Sequence, residues 1–386
     1  MMNRSVAVLL VAVSSVWGTA QPRSGDLPRP SSEPRLLSRQ TVALTVKAKF
    51  VLGDYSKGVS CAAVSTKGLA FVVAKDSSDI DVWRVSDGKR EGVWKGQGGK
   101  IRGLGVSPSG DRLVSSAEDG TVSVWHTQGQ SQPTVLKAAP QGVKAVAISN
   151  NEKFVAGGSV EKGADVYLWE VGADREPRRL AGPGTADGLL KASPGYLDEL
   201  EFSPDGLYLA AAGDGVIILW SSASGNVLTV HVKQRDLLKS VSYCPNGALL
   251  GAGGSFSAAV TSSPTGPFFS LTKLHGSVVY GDFGEKGVTH DAATDGLLVQ
   301  RAQCLPDGRH LLVVVTSGMT QKSPNQLLRL APLSGIVEGG SLRGVAEIEL
   351  GPAPVYSVLA VAADGSVVLQ KTRDTLYLWQ LEVKPL

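Results

Sequence analysis

The residues able to do acid–base or metal chemistry are few and scattered in this chain. Five histidines, His126, His231, His275, His290 and His310, are widely separated and show no metal-ligand spacing. His290 and Asp291 are the only adjacent His/Asp pair, and neighbouring strand residues point to opposite faces, so a dyad there requires a turn. Cys61, Cys244 and Cys304 are odd in number and far apart, which fits small apolar residues in or at the ends of strands better than a disulfide framework. The chain contains no G-x-S-x-G elbow, H-E-x-x-H pair, P-loop or dinucleotide-binding glycine motif in a strand–turn–helix setting. The expectation is a non-catalytic protein with no cofactor and no metal.

What must position any functional side chain is a repeat. "FSPDGLYLAAAGDGVIILW" (202–220) aligns with "VSPSGDRLVSSAEDGTVSVW" (106–125), and the same plan recurs at 64–83 and 148–169. Degenerate copies begin at Tyr243, Cys304 and Val361. Anchored at Gly68, Gly110, Glu152, Gly206, Gly247, Gly308 and Gly365, the seven units are spaced 42, 42, 54, 41, 61 and 57 residues apart. A minimum near 42, lengthened by insertions, matches the period of roughly 40 to 45 residues of a four-stranded propeller blade. In the second unit the strands are expected at 101–107, 112–117, 121–126 and 134–137.

The "SPDG"-type turns at 107–110 and 203–206, the turn aspartates Asp119 and Asp214, and the tryptophans Trp83, Trp125, Trp169, Trp220 and Trp379 carry a resemblance to the WD-repeat β-propeller family over nearly all of 42–386. No unit has Asp after its Trp, and Gly99-Lys100 and Gly142 stand where the family usually has Gly-His, so its Trp-Ser/Thr-Asp-His hydrogen-bond set is incomplete here. The resemblance implies an all-β fold: a seven-bladed propeller of four-stranded antiparallel blades. The last unit ends with its third strand at 375–381, and the strand-like segment 41–50 precedes the first unit. The family's usual closure pairs those two segments and removes an exposed sheet edge. The five tryptophans are then blade-packing residues, while Trp94, outside the repeat position, is expected as a partly exposed contact on an outer strand.

Function is expected on the face that carries the second-to-third and fourth-to-next-first connections, here termed the top. Three insertions are assigned to it, 181–196, 275–296 and 316–326, and a fourth, 334–344, to the opposite face; insertions gathered on one face of an array often mark its binding side. At the top of each innermost strand stand Ser60, Arg102, Lys144, Asp198, Lys239, Gln300 and Ser357. Arg102, Lys144, Asp198 and Lys239 are the candidate binding residues, and three cations against one anion favour a protein partner with an acidic surface. A single carboxylate in this ring argues against a metal-centred site.

The amino terminus reads as an address. Arg4, the apolar run 6–13 and the small residues Gly18 and Ala20 form a signal-peptide pattern over 1–20, too short for the roughly 20 residues of a spanning helix. Residues 21–40, rich in Pro, Ser and charge, are expected to be a disordered linker, and 41–386 the propeller. Net charge is only +3, which does not support nucleic-acid binding. The combined expectation is a monomeric, periplasmic or secreted scaffold for protein–protein interaction, without stable membrane insertion. The alternative is a propeller enzyme or small-ligand binder of lactonase, quinoprotein or sugar/peptide-binding type, using the top of the central channel.

Overall fold

A computed structural model describes residues 42–385, except 97, 130–131, 137–138, 141, 160–164, 181–196, 214–215, 233–237, 246, 264–265, 282–288, 296–297, 318–323, 335–345 and 353–357. The signal-peptide and linker expectations, the insertion 181–196, all of 334–344 but its first residue, 318–323 of the insertion 316–326, Asp214 and Ser357 lie outside the described residues. Seven four-stranded antiparallel sheets follow one another along the chain. Blade 1 begins with Val59–Val64, blade 2 with Ile101–Val106, blade 3 with Val143–Ile148, blade 4 with Glu199–Phe202, blade 5 with Leu238–Tyr243, blade 6 with Leu298–Cys304 and blade 7 with Val358–Val361. In blade 2 the strands run Ile101–Val106, Arg112–Ala117, Val122–His126 and Thr134–Leu136, within a residue of expectation at each end.

The ring closes as the sequence implied. Val42–Leu52 pairs antiparallel with Leu376–Pro385, the third strand of blade 7, from Val42 opposite Pro385 to Leu52 opposite Leu376. Alternation along this strand buries Leu52 completely and leaves Val51 62% exposed. Leu52 enters a cluster that joins Ala360, Leu369, Leu376 and Leu378 of blade 7 to Val64, Val72 and Trp83 of blade 1. One strand thus completes the last blade and fills the seam to the first.

The core lies between blades, which is why second strands are apolar and small. In "YLAAAG", Leu209 and Ala211 pack toward blade 3 while Ala210 and Ala212 pack toward blade 5. Both faces are buried, so large side chains at these positions would overpack the interface. Each unit then turns through a left-handed residue. Gly68, Gly110, Gly206, Gly247, Gly308 and Gly365 have φ between 63° and 87°, and Glu152 takes the same turn at 57°. A non-glycine residue there is strained. The Glu152 carboxylate has a compensating role: it accepts from Ser109 Oγ at 2.7 Å and Arg112 Nε at 3.2 Å, tying blade 3 to blade 2.

All five blade tryptophans are buried. Trp125 Nε1 donates to Ser115 Oγ at 2.9 Å, and Asp119 accepts from the backbone N–H of Gly99 at 2.6 Å and of Thr121 at 2.9 Å. The Trp–Ser and Asp portions of the family's set therefore persist, with a backbone N–H standing where its histidine would. Trp83 Nε1 donates to Tyr55 OH at 2.9 Å, and Tyr55 in turn donates to Asp81 at 2.7 Å. Trp379 Nε1 donates to Gln370 Oε1 at 3.1 Å.

Two sequence expectations are corrected. Cys244 and Cys304 form a disulfide with Cα atoms 5.1 Å apart, joining the innermost strand ends of blades 5 and 6; only Cys61 is free. Trp94 stands on the outermost strand of blade 1 and is partly exposed, as expected, and it also stacks on Trp125 with centroids 5.5 Å apart and lies 5.3 Å from Phe71. Segment 275–296 is not a loop insertion. His275–Gly281 belongs to the third strand of blade 5 and Thr289–Asp295 is its fourth, while the extra length is a long hairpin formed by Leu249–Ser263 and Gly266–Gly281. His290 and Asp291 are consecutive strand residues opposite Tyr280 and Val279, not a turn.

Candidate functional site: the ring and channel of the innermost strands

The seven innermost strands surround a cavity of about 600 Å³. At its top the residues singled out from the sequence are brought together by a shared backbone device. The strand register skips Ser60, Arg102, Lys144, Lys239 and Gln300, each left as the extra residue of a β-bulge. A bulge leaves one residue outside the ladder and re-aims its side chain. Asp198 holds the matching place just ahead of the blade 4 strand, its N–H bonded to Ala212 O at 2.8 Å. In blade 7 the skipped residue is Leu359.

The ring is charge-compensated. Arg102 Nη2 lies 2.7 Å from Glu118 Oε2 and 3.5 Å from Asp76 Oδ1, and Lys144 Nζ donates to Asp198 Oδ1 at 2.8 Å. Asp76 and Glu118 enter from second-to-third connections, a position the sequence reading did not count. The signal was present, since each follows a second strand by one or two residues. The bond to Glu118 stabilises the charged Arg102 guanidinium most, against a smaller opposing effect of burial. Lys239 is half-buried, and Gln300, 6% exposed, bonds Thr316 Oγ1.

Deeper in the channel the repeat breaks. Blades 2 and 3 have Gly103, Gly105, Ala145 and Ala147 on their innermost strands, and the reason is close approach: a Cβ at Gly103 would fall 2.0 Å from Lys144 O, and one at Gly105 2.7 Å from Val146 O. The equivalent residues of blade 4 are Glu199 and Glu201. Their side chains reach the next blade's free backbone edge instead: Glu199 Oε2 accepts from Val241 N at 3.2 Å, and Glu201 accepts from Tyr243 N. From blade 6, Arg301 Nη2 reaches back to Glu199 Oε1 at 2.6 Å. Burial first, and Glu199 second, push the Glu201 carboxyl up to about 8, against weaker opposition from Tyr243 N–H and Arg301.

The channel wall is thus two-sided. Below the ring of Ser60, Arg102 and Lys144, blades 4 to 6 present carboxylates, hydroxyls and a guanidinium, whereas blades 1 to 3 and 7 present small residues such as Ala63, Gly105, Ala147 and Ala360. Such a cavity can hold a small polar group against one side, or a side chain inserted by a partner. Among the described residues no group of three or more His, Cys, Asp or Glu is placed to hold a metal, and no helix is long and apolar enough to cross a membrane.

Comparison with known proteins follows the same repeat. The family described as "WD domain, G-beta repeat" matches residues 88–126 and 193–221. Guanine nucleotide-binding protein subunit beta of Zea mays is 24% identical over 138 residues, 35% of this chain and 35% of that protein. The Arabidopsis thaliana counterpart is 26% identical over 133 residues, 34% of each. The chain therefore matches only about a third of the length of these relatives. Among solved structures, a chain of the "Crystal Structure of Mitotic Checkpoint Complex" superposes with a TM-score of 0.58 at 16% identity, covering 94% of this chain and 98% of that one. A chain of Kuenenia stuttgartiensis hydrazine synthase gives 0.61 at 15% identity, covering 86% and 98%. At these identities the likeness concerns the fold.

Proposed function

We propose that this seven-bladed propeller, which carries WD-domain matches at 88–126 and 193–221, is a divergent WD-repeat protein and a non-catalytic scaffold that docks a protein partner outside the cytoplasm through the top of its ring. The observation that carries this reading is the set of bulged side chains held at one end of a closed ring. Arg102 and Lys144 are fixed by Glu118, Asp76 and Asp198 before any partner arrives, so docking costs little side-chain entropy. Local compensation directs the preference toward a partner with an ordered pattern of charge, acidic groups meeting Arg102, Lys144 and Lys239, rather than toward any polyanion.

The extracytoplasmic location is supported by the leader pattern of residues 1–20 and by the Cys244–Cys304 disulfide, a bond favoured in oxidising compartments. The proposed working state is a monomer without cofactor.

The test is affinity capture with the chain from Gln21, beside a variant with Arg102, Lys144 and Lys239 all changed to Ala, each confirmed folded by circular dichroism. A protein captured by the first and lost by the second supports the reading. Equal capture by both, or none by either, overturns it.

A further inference from the structure

We infer that the channel wall between blades 4 and 6 is a binding site for a protonated primary amine. This goes beyond the docking reading, since it concerns the interior of the ring rather than its top loops. The argument begins with a charge count at one level of the channel. Glu199 of blade 4 and Arg301 of blade 6 meet at 2.6 Å across the innermost strand of blade 5. Glu201, two residues along from Glu199, shares the wall, and among the described residues no cation bonds it. With both carboxyls ionised, two carboxylates face one guanidinium, and the site is then one positive charge short.

The groups facing Glu201 are accounted for from every side. Glu199 shares its strand. Blade 3 contributes Lys144 to the same cavity, bonded to Asp198; blade 5 contributes Tyr243, whose backbone N–H bonds Glu201; blade 6 contributes Arg301, which is bonded to Glu199. Burial first, and the Glu199 charge second, make the Glu201 carboxyl keep its proton up to about pH 8. A ligand cation would take that proton's place.

A second, independent feature points to an occupant. Ser240 stands on blade 5 in register with Glu199 and Arg301, as their pairing with Ala252, Ala212 and Val314 shows. It lines the same cavity, is only 3% exposed, and its hydroxyl has no hydrogen-bond partner. A buried hydroxyl without a partner costs free energy unless something bonds it. An alkylammonium has three N–H donors and a short apolar tail. Its donors match Glu201, Ser240 and the remaining lone pairs of Glu199, and its tail matches the Ala63, Gly105 and Ala147 side of the channel. The shared chemistry, a protonated amine, is found in free small amines and in a partner's lysine side chain.

The experiment is isothermal titration of the full chain from Gln21 with n-butylamine, with acetyl-Gly-Lys-Gly-amide, and with n-butanol as the uncharged control. Binding of either amine at pH 8.5, with proton release on binding at pH 6.5 and no binding of n-butanol, supports the proposal. The butylamine arm identifies a free amine as a sufficient ligand, and binding of the peptide alone identifies a lysine side chain. Because the cation must displace a proton held up to about pH 8, the affinity should fall about 25-fold between pH 8.5 and pH 6.5. Glu201→Gln should abolish both the binding and its pH dependence. Glu201→Ala, which restores the residue type of Ala147, should do the same and guards against a folding artefact of the first variant. No binding of either amine at pH 8.5, or binding unchanged by both substitutions, overturns the proposal. Neither result depends on whether Arg102, Lys144 and Lys239 dock a partner.

Discussion

Ring closure rests on two neighbouring residues whose environments are opposite, and that contrast gives a quantitative test. Leu52 is fully buried in the seam between blades 7 and 1, packed among Leu369, Leu376, Leu378, Val72 and Trp83 from both sides. Its neighbour Val51 is 62% exposed on the same strand. Leu52→Ala removes side-chain volume from a site walled by two sheets, where collapse is limited, and should cost about 3 kcal/mol. Val51→Ala removes a methyl-bearing surface group and should cost no more than about 0.5 kcal/mol. Because this strand closes the ring, the loss should appear as opening of Val42–Leu52 from Leu376–Pro385, read as amide hydrogen exchange along the latter strand. At about 1.4 kcal/mol per decade, Leu52→Ala should speed exchange there about 150-fold and Val51→Ala less than about threefold. Similar small effects from both substitutions would refute the closure, since the seam would then not depend on the amino-terminal strand.

Two further outcomes follow from the channel and the disulfide. Glu201 has its carboxyl raised from 4.5 to about 8, so the folded state holds a proton that the unfolded chain releases; stability should fall as pH rises from about 4.5 to about 8 and stay low above that. The full difference sets a ceiling near 5 kcal/mol, but Glu201 is half-buried beside a cavity of about 600 Å³, large enough for many waters, and screening should leave about 2 kcal/mol; Glu201→Gln should gain that much over the natural chain between pH 5 and pH 8.5 in urea titrations, and parallel curves would rule the argument out. The Cys244–Cys304 bond closes a separation of 60 residues, worth about 4 kcal/mol on chain-entropy grounds, so the double Ser variant should melt at a lower temperature, and reductant should lower the melting of the natural chain but not of the variant.

The blades were legible because their constraints are local. A turn that needs positive φ selects glycine, and a strand that packs on both faces selects Ala and Val; these signals recur with the repeat, so seven weak signs reinforce one another. Even Glu152 was found at its turn by its place in the spacing, although its type argued against it. The tertiary pairings were harder. Cys244 and Cys304 looked unrelated at their distance in sequence, yet both stand at the end of an innermost strand in adjoining blades, Cys244 just beyond one and Cys304 closing the other. Trp94 looked like an outlier because its partners, Phe71 and Trp125, come from different strands of two blades.

The charge of the candidate site shows why residue types at one repeat position give an incomplete electrostatic picture. Counting Arg102, Lys144, Asp198 and Lys239 gave a basic ring, because the count followed one strand position and left out Asp76 and Glu118 on the adjoining connections. The same position-by-position reading stopped at Asp198, one residue short of Glu199. In a repeat protein the informative residue is the one that breaks a sterically enforced pattern. Gly103 and Gly105 are small because a neighbouring carbonyl leaves no room for a Cβ, so glutamates at the equivalent places in blade 4 require that the gap be spanned differently. Glu199 and Glu201 span it by bonding Val241 and Tyr243, and in doing so bring two acids to a level of the channel where Arg301 alone reaches them. The packing rule that shapes the other blades is relaxed at the place where the channel acquires its chemistry.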